Sequence, residues 1–596
     1  MLLVDIAFCT QLISIFLANI ATSLELDETS SADKVTNNDV PHTTTSVRKP
    51  NFVVFLVDDL GVGDIGCFGN DTIKTPNIDR IAARGAKLNH NLSPESICTP
   101  SRAAMLTGRY AIRSGMASGP NELRVLSNLA CSGGLPNNET TFARALQEIG
   151  YRTSMIGKWH LGLHCERRDY CHHPLNMGFD QYYGLPLTNL RDCGPYADGS
   201  SFLQVVQRPV HRVAVAFVVL FVGLFATNVT SKRFTVLFGC FGVLCLLLSP
   251  YVLRIIYSRL SCITMRGFET VEQPTNLENL TVRFTNEARG FIRRNKQEPF
   301  LLFMSFAKVH AVLFTSPRFK GHSAHGRYGD NVEEMDWSVG EIVSTLEEED
   351  LLEDTLVYFT SDHGPFLEIM SSSGEHLGGS NGPYKGGKAQ TWEGGIRVPT
   401  VAMWKDHIPE GIVINEPTSS MDIFTTMIEM AGGRIPEERA IDGKNILPLL
   451  LQEQAVSPHE FMFHYCGSSI HAVRYRPRSG LNVTWKAHFI TPVWAPGREV
   501  CDSSLVLCPC FGDHVTRHDP PLLYDVTHDP YERYPLEPLL EQHQDVISKM
   551  KQAVKNHQQG IRPVPKQLGY SRVRPQLNPL FQLCCNFPYC SCVETE

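Results

Sequence analysis

A cysteine beside a helix-like segment is the first residue of this sequence with a clear chemical use. Cys98 stands in the stretch SICTPSRAAMLTGRY, two residues before Pro100 and four before Arg102. Proline fits the first turn of a helix, so we expect a helix over about 101–107 with Cys98 just before its amino end. The free N–H groups there stabilise an anion, and Arg102 could neutralise a thiolate or alkoxide at position 98. The alternative is that Cys98 is a disulfide partner.

Four apolar segments elsewhere in the chain end in residue types that catalysis and metal binding use. They are NFVVFLVDD, RTSMIGKWH, FLLFMSFAKVH and TLVYFTSDH, which close on Asp58 and Asp59, Lys158 and His160, His310, and Asp362 and His363. Near-continuous hydrophobic segments suit a parallel sheet covered on both faces. The segments TPNIDRIAARG and TTFARALQEIG between them carry helix start and stop signals. This alternation predicts an α/β fold, whose ligands bind beyond the carboxyl ends of the strands.

The mixture of residue types in this set indicates its ligand. Asp58, Asp59 and Asp362 supply hard carboxylate oxygens, which suit Ca2+ or Mg2+. The imidazole of His363 is a poorer ligand for a hard cation. Groups that suit an oxyanion come from Lys158, His160, His310 and Lys388. Taken singly, such residues are more often turns, surface charges or satisfied core groups, but a metal with a cationic rim is typical of a phosphate-ester or sulfate-ester site.

The composition limits the class of protein. A chain of 596 residues is too long for one compact core, so we expect a large domain and at least one smaller domain. Apolar residues at 43% and charged residues at 19% are typical of a globular protein. With 54 Lys and Arg against 62 Asp and Glu, the formal net charge of −8 argues against a nucleic-acid partner.

The amino-terminal segment, residues 1–23, has the apolar character of a secretory signal peptide. It lacks a basic start and carries Asp5 at the edge of its apolar part, so a structural helix is the alternative. Residues 24–48 are rich in Ser, Thr, Asp and Asn, which predicts a disordered lead-in.

The eighteen cysteines indicate an oxidising compartment. Setting aside Cys9, Cys98, Cys240 and Cys245 leaves 18 − 4 = 14, an even number that suits disulfide pairing. Zinc is the rival interpretation for the cluster at 501–510 and for CCNFPYCSC, but neither has paired C-x2-C spacing with a matching second half. N-x-[ST] sequons also fit a lumenal or extracellular chain, and they lie at Asn70, Asn91, Asn138, Asn228, Asn279 and Asn482.

Two uncharged apolar segments predict a transmembrane helical hairpin at residues 209–258. The segments 213–231 and 234–253 are nineteen and twenty residues long, and only SKR separates their apolar parts. A pair of buried core helices is the alternative. The signal, cysteines and sequons favour feet in the lumen and a cytoplasmic tip, although the positive charges are mixed. Cys193 and Cys262 bracket the excursion, and a bridge between them would staple its base.

These motifs resemble those of the sulfatase family. CTPSRAAMLTGRY resembles the signature C-x-P-S-R-x-x-x-L-T-G-R, and GKWHLG resembles the family's second signature. From about Pro50 to the carboxyl terminus, further matches are PNFVVFLVDDLGVGDIGCFGN, TPNIDRIA, YGDNVEEMDWSVG, SDHG and GGKAQTWEGGIRVP. The hairpin and the Cys-rich tail make the chain most similar to the steryl-sulfatase branch, with the arylsulfatase D, E, F and H types.

The resemblance implies a domain layout. It comprises an alkaline-phosphatase-like catalytic domain with a mainly parallel central sheet, residues 49–192 and 263–435, interrupted by the hairpin. A smaller α+β domain with the Cys-rich tail follows, residues 436–596. The implied location is a membrane-anchored protein with its catalytic domain in the lumen of the endoplasmic reticulum or Golgi.

The resemblance also implies an activity, the hydrolysis of aryl or steroid sulfates to alcohol and inorganic sulfate. In sulfatases the signature cysteine is oxidised by the formylglycine-generating enzyme, so Cys98 would become formylglycine, an aldehyde that hydrates to a geminal diol. One hydroxyl attacks sulfur and expels the alcohol. The second hydroxyl then loses its proton, the aldehyde re-forms and sulfate leaves. Such covalent catalysis splits one difficult step into two.

Each site residue has a role by the same resemblance. Asp58, Asp59, Asp362 and His363 would hold one Ca2+ per subunit together with an oxygen of modified Cys98. Arg102 would hold the diol with Lys158 beside it, and His160 would be the base that triggers release of sulfate. Lys388 and His310 would bind sulfate oxygens and assist the leaving alcohol.

Three departures from the family pattern leave other functions open. Position 363 is often an amide in this superfamily, Lys308 stands where HVH is expected, and the sequence after SDHG is unusual for the branch. A catalytically silent paralogue acting as a membrane-bound binding protein is one alternative. A phosphatase or phosphodiesterase of the same superfamily is another, although such enzymes commonly use Ser or Thr with paired zinc, and the chain offers too few His ligands for two zinc ions.

Overall fold

The computed structural model describes residues 49–189, 193, 212–213, 215–216, 218–223, 226–227, 231–371, 373–478, 482–501, 507–573 and 581–594. The predicted signal peptide and lead-in, residues 1–48, lie outside the described residues, as does much of the first arm of the predicted hairpin.

The regular elements alternate between strands and helices in the first two thirds of the chain. The described strands are β1 (Asn51–Val57), β2 (Ala86–Leu88), β3 (Asn91–Leu92), β4 (Arg152–Lys158), β5 (Gln181–Leu185), β6 (Thr264–Arg266), β7 (Glu269–Glu272), β8 (Phe300–Ser305), β9 (Thr355–Ser361), β10 (Val401–Met403), β11 (Ile412–Ile414), β12 (Thr418–Ser419), β13 (Phe461–Cys466), β14 (Ser469–Tyr475), β15 (Trp485–Pro492) and β16 (Val515–Asp525). The described α-helices are α1 (Pro76–Ala83), α2 (Cys98–Thr107), α3 (Phe142–Glu148), α4 (Lys232–Ser261), α5 (Leu280–Asn295), α6 (Gly326–Glu348), α7 (Glu393–Ile396), α8 (Asp422–Met430), α9 (Leu447–Leu450), α10 (Glu541–Gln559) and α11 (Tyr570–Val573).

The central sheet has ten strands in the order β11-β2-β10-β9-β1-β8-β4-β5-β6-β7. Its centre, from β9 to β5, is parallel, as predicted. Strands β10, β6 and β7 pair antiparallel with their neighbours, whereas β11 pairs in parallel with β2, so the sheet is mixed. The reason at one edge is the connection: only Gly267 and Phe268 separate β6 from β7, and so short a link can join only antiparallel strands.

Strand β1 shows why apolar segments without polar alternation form this sheet. All seven of its residues are buried, and successive side chains point to opposite faces. Phe52, Val54 and Leu56 pack into one core, with residues of α2, α3 and α8. Val53 and Phe55 pack into the other, with residues of α1, α5 and α6. The sheet is therefore covered by helices on both faces, which explains the near-continuous hydrophobicity of its strands.

The four segments singled out in the sequence are neighbours in this sheet. Strand β1 pairs in parallel with β9 on one side and β8 on the other, and β8 pairs with β4. Their carboxyl ends consequently meet at one edge. This is the edge at which Asp58, Lys158 and Asp362 follow or end their strands.

The carboxyl-terminal part of the chain forms a second, smaller unit. Strands β13 to β16 make a four-stranded antiparallel sheet in chain order, and α10 contributes Val546, Ile547 and Met550 to its core. The chain then returns to the large sheet, where the backbones of Gln273 and Cys592 exchange two hydrogen bonds of 3.0 Å. The α+β character is as expected.

Six disulfides join cysteines among the described residues. They are Cys165–Cys171, Cys193–Cys262, Cys466–Cys510, Cys501–Cys508, Cys584–Cys590 and Cys585–Cys592. The predicted bridge at the base of the hairpin, Cys193–Cys262, is therefore present. The cysteines of both carboxyl-terminal clusters form disulfides rather than zinc sites. The prediction that the fourteen remaining cysteines pair was wrong for two of them, because Cys67 and Cys131 are unpaired thiols.

The second arm of the predicted hairpin is helical. Helix α4 spans it, and apolar side chains such as Leu237, Phe241 and Leu247 are more than half exposed. Within the part of the chain that the structure describes, no helix meets the length and apolarity required to cross a bilayer.

Candidate active site

Cys98 is the first residue of helix α2, whereas the sequence predicted a start near residue 101. The difference arises because Pro100 needs no N–H partner anywhere in the first turn, so two helical residues can precede it. The side chain of Cys98 is 2% exposed. Burial raises the pKa of its thiol, but the ammonium groups of Lys158 and Lys388 outweigh burial and lower it. Cys98 is thus an unpaired, buried residue in a cationic setting.

Four potential ligand groups converge at this point. Donor atoms of Asp58, Cys98, Asp362 and His363 all lie within 4.8 Å of one another, and all four residues are buried. Nε2 of His363 is 3.2 Å from Sγ of Cys98 and 3.5 Å from Oδ1 of Asp362. Asp59 lies at the margin of the group, with Oδ1 3.3 Å from the same Nε2.

The group fits a divalent cation. Oδ1 of Asp58 is buried and accepts no hydrogen bond from the described residues, although Nη2 of Arg102 lies 3.5 Å away, so it keeps lone pairs for a cation. The Nδ1–H of His363 donates to the carbonyl of Gly364 at 2.9 Å, which leaves Nε2 as the ligating atom of the neutral ring. Burial lowers the pKa of His363, but Asp362 and Cys98 outweigh it and raise the pKa to about 9. The raised pKa reflects the negative charge of Asp362 and Cys98 beside the ring, which a bound cation would neutralise.

Arg102 and Lys158 are fixed by the same carboxylates. Nε of Arg102 donates to Oδ2 of Asp362 at 2.9 Å, and Nζ of Lys158 donates to Oδ2 of Asp58 at 2.5 Å. Burial raises the pKa of Asp58, yet Lys158 and other cations outweigh it and hold it well below its usual range.

Ser305 belongs to the same network of contacts, although it was not among the predicted site residues. It ends β8, and its hydroxyl accepts from Nη1 of Arg102 at 2.7 Å and donates to the carbonyl of Lys158 at 2.7 Å. A search of the strand ends for hydroxyl side chains as well as charged ones would have located Ser305 in the sequence.

His160 has one ring nitrogen fixed and one available. Nε2 lies 2.7 Å from the carbonyl oxygen of Leu126, so it carries the proton, while Nδ1 is buried without a partner among the described residues. Burial holds the pKa of His160 well below its usual range, and the charge of Lys158 lowers it further. The backbone of His160 has a φ of 61°, as does that of Asp59, and such strained non-glycine residues persist only where their surroundings hold them.

Lys388 contacts Asp59, and His310 lies close enough to Asp58 to interact with its charge. Nζ of Lys388 contacts Oδ1 and Oδ2 of Asp59 at 2.6 and 2.7 Å and sits 5.2 Å from the centre of the Phe366 ring. His310 is half-buried, and its Nδ1 has no hydrogen-bond partner within the described part of the chain. Burial holds the pKa of His310 well below the usual range despite the charge of Asp58. All the predicted site residues therefore meet in one place.

Lys308, one of the departures from the expected pattern, does not face this centre. Its ammonium is buried against helix α6, 2.9 Å from Oδ1 of Asn331 and 2.9 Å from Oε2 of Glu334. Its side chain therefore anchors the loop that carries His310.

The chain resembles known proteins over most of its length. Residues 50–433 match the Sulfatase family, and residues 457–592 match the C-terminal region of aryl-sulfatase. The chain is 47% identical over 555 residues to steryl-sulfatase of Homo sapiens, with 92% of this chain and 94% of the relative covered. It is 48% identical over 562 residues to arylsulfatase H of Canis lupus familiaris, with 93% and 99% covered. The crystal structure of the PsFucS1 sulfatase from Pseudoalteromonas sp. superimposes with a TM-score of 0.64 at 28% identity, covering 87% of this chain and 92% of that one.

The matches agree with the geometry of the site. The family match includes every residue of the Asp58, Cys98, Asp362 and His363 group, and the solved structure shares the layered sheet that positions them. The chain belongs to the sulfatase family.

Proposed function

We propose that this protein hydrolyses aryl or steroid sulfates to an alcohol and inorganic sulfate. One observation supports this most strongly: Cys98 lies unpaired and buried at the amino end of a helix, among cations and carboxylates, in a sulfatase sequence. The relatives named steryl-sulfatase and arylsulfatase H support the two substrate classes.

The nucleophile in this proposal is the hydrate of a formylglycine made from Cys98 by the formylglycine-generating enzyme. One hydroxyl gives its proton to Asp362, which has a carboxylate oxygen within 4.8 Å of the side chain at position 98, and forms a bond to sulfur as the bond from sulfur to the alcohol oxygen breaks. The leaving oxygen takes a proton from Lys388, with His310 hydrogen-bonding to the sulfate. Lys388 holds the proton that the leaving oxygen takes: burial lowers the pKa of its ammonium, but Asp59 outweighs burial and raises it.

His160 completes the cycle in this proposal. Its neutral ring offers Nδ1 as an acceptor, since Nε2 is occupied by the Leu126 carbonyl. Nδ1 takes the proton of the second hydroxyl at position 98, the aldehyde re-forms, and the bond from that carbon to the sulfate oxygen breaks. Arg102 and Lys158 hold negative charge on the oxygens of residue 98.

The carboxylates provide the proposed Ca2+ site. Asp58, Asp59, Asp362, His363 and an oxygen of modified Cys98 would be the ligands. A hard divalent cation suits three carboxylates, and when bound it supplies charge that polarises the sulfate and acidifies the hydroxyl of residue 98.

We also propose that residues 209–258 attach the protein to a membrane, with the catalytic domain in the lumen of the endoplasmic reticulum or Golgi. The exposed apolar side chains of α4 support attachment, and the six disulfides support an oxidising lumen. Carbonate extraction of wild-type protein and of a 209–258 deletion tests this proposal. Release of the wild type into the supernatant would contradict it.

The activity itself is tested with protein from a secretory host that makes formylglycine. Wild type should hydrolyse a nitrophenyl sulfate, and Cys98→Ser should lose at least about a hundredfold in kcat because a sulfated serine has no second hydroxyl to expel sulfate. Turnover of nitrophenyl phosphate but not of the sulfate would instead indicate a phosphatase. Absence of turnover for both, with formylglycine present, would indicate a silent paralogue.

A further inference from the structure

The loop that carries Lys388 is held in a conformation that needs external support. We define the Lys388 loop as residues 385–395. Ala389, next to Lys388, has a φ of 70°, a left-handed conformation that a residue with a Cβ adopts only under constraint. Within the large domain, the amide of Lys388 donates to Pro365 and that of Ala389 to Ser96. The large domain adds the guanidinium of Arg124 at the carbonyl of Ala389 and the amide side chain of Asn381 at the carbonyl of Gly386, and the carboxyl-terminal unit supplies a second set of contacts.

A buried ionic network joins the end of this loop to that sheet. The carboxylate of Glu393 pairs with the guanidinium of Arg474 on β14 and lies 2.8 Å from Nζ of Lys486 on β15. Lys486 also lies 2.9 Å from Oε1 of Glu532, and Oε2 of Glu532 accepts the backbone N–H of Glu393 at 2.7 Å. All four side chains are at most 1% exposed.

Such a network is a poor source of stability. Removing each ion from water has a free-energy cost that the mutual attraction of the charges only about balances. Arg397 adds a third cation 2.7 Å from Glu393, so three cations share two carboxylates. Neighbouring His488 stays neutral, because burial lowers its pKa to about 4 despite Glu532. What the network does provide is a single geometry for the residues that it joins.

Further contacts, from segments that follow strands β15 and β16, hold the loop on both sides of Lys388. Nζ of Lys385 donates to the carbonyl of Glu532 at 2.8 Å, and Nε1 of Trp494 donates to Oε1 of Gln390 at 2.9 Å. The Cys501–Cys508 disulfide packs on the methyl group of Ala389. The carboxyl-terminal unit thus contacts the loop before and after Lys388.

We propose that Arg474, Lys486 and Glu532 are positioning residues for Lys388. They act through Glu393 and the strained backbone at Ala389 to hold the ammonium where the leaving oxygen departs. The carboxyl-terminal sheet therefore completes the active site without contributing a reacting group. This inference rests on the proposed function, in which Lys388 protonates the leaving alcohol.

The strand β14 offers a matched control. Arg476 lies two residues beyond Arg474 and reaches the large domain in the same way, with Nη2 2.7 Å from Oε1 of Glu416. Both arginines are buried, but Glu416 lies outside the Lys388 loop. Arg474→Gln and Arg476→Gln therefore each remove one ion pair between the sheet and the large domain, and only the first touches the loop.

The test is the dependence of kcat/KM on the leaving group, measured with aryl sulfates of increasing phenol pKa. Arg474→Gln should lower kcat about tenfold or more at little change in KM, since an interaction made only in the transition state is lost. The loss should grow as the phenol becomes less acidic, as we also expect for Lys388→Gln. The variant Arg474→Lys should recover part of the lost activity.

The double variant Arg474→Gln with Lys388→Gln should be no worse than Lys388→Gln alone. Arg476→Gln should keep the wild-type slope.

Equal losses in Arg474→Gln and Arg476→Gln, or a loss independent of the leaving group, would overturn the inference. If Arg474→Gln does not fold, Lys486→Arg and Glu532→Gln serve for the same comparison. An inactive wild type would overturn the proposed function instead, so the two failures are distinguishable.

Discussion

Sγ of Cys98 lies 3.2 Å from Nε2 of His363. These residues come from the first turn of α2 and from the end of β9, 265 positions apart in the chain, and they bring the nucleophile position and the proposed metal ligands together. Position 363 is also where the sequence departs from the amide that is common in this superfamily. The contact therefore makes His363 the first residue to test.

His363→Asn should preserve Ca2+ binding. An amide oxygen suits a hard cation at least as well as an imidazole nitrogen does, so we expect affinity within about tenfold of wild type, whereas Asp58→Asn, which removes a ligating charge, should lose more. Titration calorimetry and the Ca2+-dependent rise in Tm measure this without reference to turnover. Loss of Ca2+ binding in His363→Asn but not in Asp58→Asn would show that the carboxylates are not the main ligands.

Glu95 should make stability depend on pH. It is 2% exposed, and burial raises its pKa to about 8 although Arg124 and the backbone N–H of Ser96 oppose this. The folded protein therefore keeps a proton that the unfolded chain loses above its ordinary pKa, so stability falls as pH rises from about 5 to about 8. Glu95→Gln cannot lose a proton.

The Tm of Glu95→Gln should consequently match or fall slightly below that of wild type at pH 5 and exceed it at pH 8. Each pKa unit corresponds to about 1.4 kcal/mol, so the difference should be several degrees. A Tm difference that is the same at both pH values would contradict the assignment of a protonated Glu95.

We expect glycans at exposed sequons and none at a buried sequon. Asn91 is fully buried in β3, where its Nδ2 donates to Thr400, so it is closed to a glycosyltransferase in the folded protein. Asn138, Asn279 and Asn482 are exposed. Peptide mass mapping with and without glycosidase treatment should find glycans at these three positions and none at Asn91, and a glycan at Asn91 would contradict the placement of β3.

Lys308→Met should affect stability more than substrate binding. The ammonium of Lys308 is buried against Glu334 and Asn331, and its removal leaves a carboxylate unpaired, at an order-of-magnitude cost of about 3 kcal/mol. We expect a lower Tm, a KM within about threefold of wild type, and a partial recovery of Tm in Lys308→Met with Glu334→Gln. A large rise in KM at unchanged Tm would instead place Lys308 in the substrate site.

The parallel centre of the sheet and its polar edge could be predicted because they depend on local patterns. A buried parallel strand must be apolar on both faces, and its carboxyl end is where the chain can leave the core, so Asp58, Lys158 and Asp362 could be located from single segments. The unpaired state of Cys98 also followed from its neighbours Pro100 and Arg102.

Other features depend on partners remote in sequence. Nothing in the sequence around Glu393 indicates that Arg474 and Lys486 of another sheet pair with it. Likewise, the contact of Lys308 with helix α6 depends on the fold and could not be predicted from the sequence. The antiparallel flanks of the sheet were missed because three-residue strands carry little periodicity. Cys67 and Cys131 were wrongly predicted to form disulfides, because an even number of cysteines does not show which of them lie close together.

The mass of the tryptic peptide 88–102, which ends at Arg102 and contains position 98, tests the central claim most directly. In protein from a secretory host, residue 98 should have lost sulfur and two hydrogens and gained one oxygen relative to cysteine, and a hydrazide probe should label it. Cys98→Ala should give no label and no sulfate-ester hydrolysis. An intact thiol or a disulfide at position 98 in active protein would contradict the account.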